Sequence, residues 1–482
     1  MEKKNGVSSF CRYAVGVVAF PYYRILPNKL FRMSLLVCLV ALASAASMRA
    51  QDPDQVTAAD VASKHLKFTR VSLATVKKGA ASTTLPGISG IDSVPNFSGS
   101  YSTPGFDPNG NPQSTWFFNT LGNPPSTGTT TLGGPIVPVS IDLRNADGTP
   151  RYVKVVNGKA MTCGNASVAG CQRLFFDATP FIEPILESPV FSNFNYTSSR
   201  VPTQFADAVQ RAEYQEAKAT WHTLLAPSVK TTRTMVINQD PTCGTATGNG
   251  GSCNYQFALN ADGSCCFFVL LNVTTFENEL FPSTSTFPPD SSTPVGAAEA
   301  SGDITTKDVS TFFFPPAYLF IPTAKGSACC IGGFHTFDFE GGDANNGNLP
   351  RAFVLNYSTW DQPIFVDPTT LDVTGLSHEI SETYNDPFVT ALDGVHDVTP
   401  WWKAPNGNCQ DNLEVGDVIE GIPNQAFPIT MPNGFTYHPQ NEALLQWFEF
   451  QSPSTALNGA YSYPDVTTLT ALSAPQKANC AP

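Results

Sequence analysis

Proline and glycine punctuate this chain from end to end: 40 prolines and 36 glycines stand among 482 residues. Together they make up about 16% of the sequence, so loops and turns must be abundant. Hydrophobic residues, at 41%, still suffice for a core, while charged residues reach only 14%. Glu, Lys and Arg are too scarce for a coiled coil. No apolar run approaches the 18 residues of a membrane-spanning helix, which excludes a polytopic membrane protein. The length allows one large domain or two to three ordinary ones.

Charge is distributed unevenly. Residues 1–50 hold seven of the 27 basic residues and one of the 40 acidic ones, and the rest carries 20 against 39. So acidic a body does not bind a phosphate backbone, which needs clustered Lys and Arg. It suits a secreted protein or one that holds divalent cations. Residues 34–46, SLLVCLVALASAA, follow Lys29 and Arg32 and end in small residues. A basic flank, a short apolar stretch and an Ala-x-Ala exit make a secretory signal. Residues 1–50 are therefore read as a signal peptide with an extended basic start, cleaved after Ala45 or Ala50. The product is expected outside the cytoplasm, extracellular or periplasmic, without a membrane span.

Removing residues 1–50 takes away Cys11 and Cys38 and leaves ten of the 12 cysteines, an even number that fits disulfides. Cys163 with Cys171, and Cys243 with Cys253, bracket short loops and read as local staples. Cys265–Cys266 and Cys329–Cys330 are neighbours, and bonds between neighbours are strained, so distant cross-links are expected for them. No CxxC occurs, which argues against a cysteine zinc site.

Residues 51–78 include a short charged segment with helical character, and 51–134 as a whole read as a flexible Ser/Thr/Gly/Pro-rich leader. An ordered domain is expected over 135–482, opening with a strand at Pro135–Leu143. Further strands are expected at 266–273, 317–322, 333–339 and 351–355. Two helices stand out: Thr203–Leu225, followed by Pro227, and Thr369–Tyr384. Thr369 or Thr370 can cap the second, and Asn385–Asp386–Pro387 stops it. A last ordered element falls near 442–450. Strands and helices mix without strict βαβ alternation, which makes the fold class α+β.

The chemistry concentrates in the second helix, at His378–Glu379–Ile380–Ser381–Glu382. Positions i and i+4 share one helix face, so His378 and Glu382 can hold one ion, with Glu379 beside it. This is the geometry of H-E-x-x-H with glutamate for the second histidine. Leu376, Ile380 and Tyr384 form a different, apolar stripe. Zinc accepts carboxylate as well as imidazole, and a catalytic site takes three protein ligands plus water. Glu379 would take that water's proton and pass it to the leaving group. The third ligand is sought in Glu414 or Asp417, which follow the helix by about 30 residues and are acidic within an otherwise Gly/Pro/Asn-rich stretch, with Asp386, His335, His396 and His438 as competitors. The same residues can instead form a solvated helix face, with His378 bonded to a backbone carbonyl. Glu414 and Asp417 can also bind calcium, which favours oxygen-rich loops.

His378–Glu382, Asn385–Asp386–Pro387, Trp401–Trp402, Glu414–Val415–Gly416–Asp417 and Glu420–Gly421 follow one another in an order that resembles the phosphate-induced protein/EXORDIUM-like family. Gly333–Phe334–His335–Thr336–Phe337 and Gln446–Trp447 are similar to its strand and terminal motifs. The match covers roughly 310–450. It departs from the family after Asp417, where Val418 and Ile419 replace the expected cysteine. The resemblance implies an extracellular protein with a metallopeptidase-like helix, and it raises His335 as a ligand.

The resulting expectation is a metallopeptidase-like mixed sheet with an active-site helix, long loops and disulfides, in which Trp401 and Trp402 wall a cleft. Its function would be that of a secreted zinc-dependent hydrolase acting on a peptide or a cell-surface polymer. The alternative is a non-catalytic extracellular protein of cell surface or wall, and calcium-stabilised adhesion is a third.

Overall fold

The computed structural model describes residue 55 and residues 90–472, apart from 108–109, 126–127, 245–252, 284–287, 324–325, 364–368, 390–398 and 411. The expected signal peptide, nearly all of 51–89 and His396 lie outside the described residues.

The organising element is a mixed seven-stranded sheet. Its strands include β1 (Thr130–Arg144), β2 (Thr223–Val229), β3 (Arg233–Asn238), β4 (Val309–Phe314), β5 (Gly333–Glu340) and β6 (Arg351–Thr359). β5 pairs antiparallel with β6, β6 parallel with β4, and β4 parallel with β1. The other edge of β1 pairs in parallel with β2 through Thr130–Ile136, then with β3 through Val139–Arg144. Side chains alternate across a strand, and here both faces are covered. Phe312, Phe314, Phe353 and Leu355 enter one apolar cluster, while Phe313 and Val354 enter another. That two-sided burial explains why these segments read as continuous apolar runs. Helices and strands together make the class α+β, as the sequence implies.

The expected strand at 317–322 forms, but in a separate four-stranded sheet of Tyr255–Leu259, Cys265–Asn272, Ala317–Thr323 and Gly326–Ile331. Other segments differ further from the sequence reading. The helix expected over 203–225 is α1 (Phe205–Glu213), and the end of that span is already strand β2. The change of direction is fixed by Asp207, whose carboxylate accepts from the Thr223 amide at 2.7 Å and lies 2.7 Å from His222 Nδ1. Part of the supposed leader is an ordered antiparallel hairpin, Asn96–Phe106 with Pro112–Leu121. Its alternating Trp116, Phe118 and Thr120 are buried, and Trp116 Nε1 donates to the Thr103 carbonyl at 2.8 Å.

Disulfides join Cys163 to Cys171 and Cys243 to Cys253, as the loops suggest. Contrary to expectation, Cys265 bonds Cys266 and Cys329 bonds Cys330. Both pairs sit where strand register slips, opposite Ala258/Leu259 and Leu319/Phe320, and a bulge of that kind bends the backbone locally. Among the described residues no helix is long and apolar enough to cross a membrane.

At the end of α1, Glu213 is buried and its Oε1 accepts from the Leu445 amide at 3.0 Å. Burial pushes its carboxyl up to about 8. The folded chain therefore keeps a proton that the unfolded chain releases above its ordinary carboxyl pKa, so this group's contribution to stability falls as pH rises toward 8. Glu213→Gln should gain on the order of 3 kcal/mol relative to wild type between pH 5 and pH 8 in denaturant titrations. Parallel curves for the two proteins would contradict this.

Candidate metal centre

α2 (Thr374–Asn385) carries the H-E-x-x-E residues and starts later than Thr369. Neither Thr369 nor Thr370 caps it. Its first turn is satisfied by Asp361, whose Oδ2 accepts from the Gly375 amide at 2.7 Å, and by Asp372, whose Oδ1 accepts from Val373 at 2.7 Å. Thr370 instead accepts from Gln425 Nε2 at 2.6 Å. Asp386 ends the helix. Leu376, Ile380 and Tyr384 enter the core with Val309, Phe313 and Val354. The polar stripe is not open to solvent: every residue of α2 except Gly375 is buried. It faces β5 and the segment around 414–417.

Two imidazoles meet the carboxylates of α2. His378 Nε2 lies 3.1 Å from Glu382 Oε1, 3.5 Å from Asp417 Oδ1 and 3.9 Å from Glu379 Oε1. His335, on the face of β5 shared with Phe337 and Phe339, brings Nδ1 to 3.2 Å from Glu382 Oε2, 3.6 Å from Glu379 Oε2 and 3.8 Å from Glu414 Oε2. Two groups form whose donor atoms all lie within 4.8 Å of one another: His335/Glu379/Glu382 and His378/Glu382/Asp417. Each could hold a metal ion, and the chemistry of the donors, imidazole with carboxylate, fits zinc and other divalent ions.

The expected partners thus converge, with Asp417 on the His378 side and Glu414 on the His335 side. Asp386 and His438 belong to neither group; His438 Nδ1 lies 2.7 Å from Asp372 Oδ2 instead. Trp402 does not wall a cleft. It is fully buried, edge-on to Trp447 with centroids 5.0 Å apart, in the cluster that also takes Val415, Val418 and Ile419. Its place is beneath the segment that presents Glu414 and Asp417. Trp401 is half-buried, and its amide donates to the Phe106 carbonyl.

Close packing fixes the orientation of these groups. Glu382 Oε1 accepts from the Gly416 and Asp417 amides at 3.0 and 3.2 Å. Gln440 brings Oε1 to 3.2 Å from His378 Nδ1, while its Nε2 donates to the Gly416 carbonyl at 2.6 Å. A Cβ on Gly416 would lie 2.5 Å from His378 Nδ1, and one on Gly333 would lie 2.5 Å from Glu379 Oε1.

The electrostatics separate the two helix carboxylates. Burial pushes Glu379 up to about 7, against the pull of His378 and His335. Burial works the same way on Glu382, but the charge of His378 and hydrogen bonds to both imidazoles hold it well below the usual carboxylate range. Burial disfavours charge on His335 and His378 too. It is outweighed by Glu414 at the first ring and Glu382 at the second, so both rings titrate well above their ordinary value. Around them, burial raises Glu420 and Glu442 well above the usual range and Asp361 to about 8. Gln440, Glu442 and Asp361 escape the sequence reading. Only Glu442, a lone carboxylate opening an apolar run, leaves a trace in the pattern.

Compared with protein-family models, with curated proteins and with solved structures, the chain finds no match in any of the three.

Gly416→Ala should displace the His378 ring, because Gln440 and Glu382 leave it no slack. Zinc affinity of the metal-free protein, read by titration calorimetry, should fall by about 10- to 100-fold. Unchanged affinity would show that the ring has room to move.

Proposed function

We propose that this chain is a secreted, metal-dependent hydrolase of peptides or cell-surface polymers. His378, Glu382 and Asp417 would hold one divalent ion, for which their imidazole and carboxylate donors suit zinc. Bound there, it would supply Lewis acidity toward water and toward a substrate carbonyl. Glu379 takes and returns the proton through Oε1, the oxygen that faces His378. The carrying observation is geometric: His378, Glu382 and Asp417 bring donor atoms within 4.8 Å of one another, and Glu379 Oε1 lies 3.9 Å from His378 Nε2, beside that group. Gln440 holds the His378 ring from behind, as a ligand's outer partner does. Solvent reaches the group from the side of Asp417 and Glu414, whose side chains are 19% and 11% exposed. Disulfides and the apolar stretch at 34–46 support export. The order of motifs over 310–450 supports membership of the EXORDIUM-like family.

A second reading is favoured by the burial of His335, His378, Glu379 and Glu382 alike. Here the metal, zinc or calcium, would be structural, in a non-catalytic protein of the cell surface or wall.

The mature protein, residues 51–482, separates the two. His378→Ala should hold less zinc than wild type by elemental mass spectrometry, because the ion assigned to His378, Glu382 and Asp417 loses a ligand. Glu379→Gln should retain zinc at His378 and lose about 10²- to 10⁴-fold in turnover of a denatured-protein or wall-polymer substrate. Turnover undiminished in Glu379→Gln would remove the hydrolase reading and leave the structural one.

A further inference from the structure

We propose that the centre is dinuclear, with a second divalent ion held by His335 Nδ1, Glu382 Oε2, Glu379 Oε2 and Glu414 Oε2, and with Glu382 bridging the two ions. This rests on the reading of the cluster as a metal centre and extends it. Glu382 divides its carboxylate between the rings, with Oε1 at 3.1 Å from His378 and Oε2 at 3.2 Å from His335. Glu379 is divided in the same sense, Oε1 toward His378 and Oε2 toward His335. Each ring also has a carboxylate that the other lacks, Asp417 for His378 and Glu414 for His335. The donors accordingly fall into two ion-sized groups that share Glu382 alone, and the two histidines belong to different ones.

A single ion would use one group and leave the other ring among buried carboxylates. The donor set of two neutral imidazoles and four carboxylates has the formal charge that two divalent ions balance. A separate sign of a missing partner is Glu379 Oε2. The residue is 4% exposed, and this oxygen takes no hydrogen bond among the described residues, its 3.6 Å to His335 Nδ1 being too long for one. A bridging carboxylate suits the roughly 3.5–4 Å between ions in two-metal hydrolytic sites. Binding of the second ion through Oε2 leaves Oε1 of Glu379 available for the proton.

The test is stoichiometry. Metal-free protein of residues 51–482 is reloaded with zinc, desalted and measured by elemental mass spectrometry. Wild type should hold two ions per chain. Glu414→Gln and His335→Ala should each hold one, Asp417→Asn and His378→Ala should each hold one, and Glu382→Gln should hold neither tightly. Manganese-loaded wild type should give the electron paramagnetic resonance spectrum of an exchange-coupled pair, which needs no variant to fold. One zinc per chain, with an uncoupled manganese spectrum, would overturn the second ion and leave the mononuclear reading standing. No zinc or manganese in wild type would overturn both.

Discussion

Burying Glu382 ionised is the constraint around which the centre is arranged. A carboxylate taken out of water needs its lone pairs satisfied and its charge balanced nearby. Glu382 meets both needs from three separate parts of the chain: amides at 416–417, the ring of His378 one turn earlier, and the ring of His335 on a strand. The segment around 414–417 must therefore lie against α2, and β5 must present His335 on its helix-facing side. Glu379, one residue along from His378, lacks the amide donors and is driven the other way by the same burial. Two carboxylates on one helix thus acquire opposite protonation behaviour from differences of a few ångströms.

Apolar packing makes this arrangement rigid enough to matter. Leu376, Ile380 and Tyr384 anchor one side of α2 in the main core, and the Tyr384 hydroxyl donates to the Thr223 carbonyl at 3.1 Å, at the start of β2. On the other side Trp402, Trp447 and Phe448 meet edge to face in the cluster that includes Val415 and Ile419. The ion-sized groups lie between these two cores. Gly416 and Gly333 allow the opposing backbones to approach where any side chain would collide with His378 or Glu379. The disulfides Cys163–Cys171, Cys243–Cys253, Cys265–Cys266 and Cys329–Cys330 span local loops or neighbouring residues.

What could be read from the sequence follows from range. The spacing within His378–Glu382, the apolar stripe of Leu376, Ile380 and Tyr384, and the runs that become β5 and β6 are local patterns, and they appear where expected, whereas β4 was not among the expected strands. The end of α1 was not legible. Residues 214–225 keep a helical composition, and it is the distant pairing of Thr130–Ile136 with β2 that makes the end of that span a strand. The hairpin at 96–121 was hidden by the serines and prolines of its exposed face, Ser98, Ser100, Ser102, Pro104 and Ser114 among them, although Trp116 and Phe118 already alternate. Glu414 and Asp417 could be named as acidic residues downstream of the helix, but which imidazole each would meet depends on how the 414–417 segment folds back. Gln440 shows no signal, because an amide's role is set by what it touches.

The same geometry bears on whether an ion here would be structural or catalytic. A structural site gains from saturating its donors, since each unsatisfied buried oxygen costs free energy. Glu382 meets that description, with two amides and the His378 ring at Oε1 and the His335 ring at Oε2. Glu379 does not: it is equally buried, it has an oxygen without a hydrogen bond, and it is held near neutrality rather than fully ionised. The Gly333 backbone packs directly against that residue, so closely that a Cβ there would lie 2.5 Å from its carboxylate oxygen. A buried carboxylate beside two imidazoles, with one oxygen left unsatisfied among the described residues, favours proton transfer over simple scaffolding as the use of this helix.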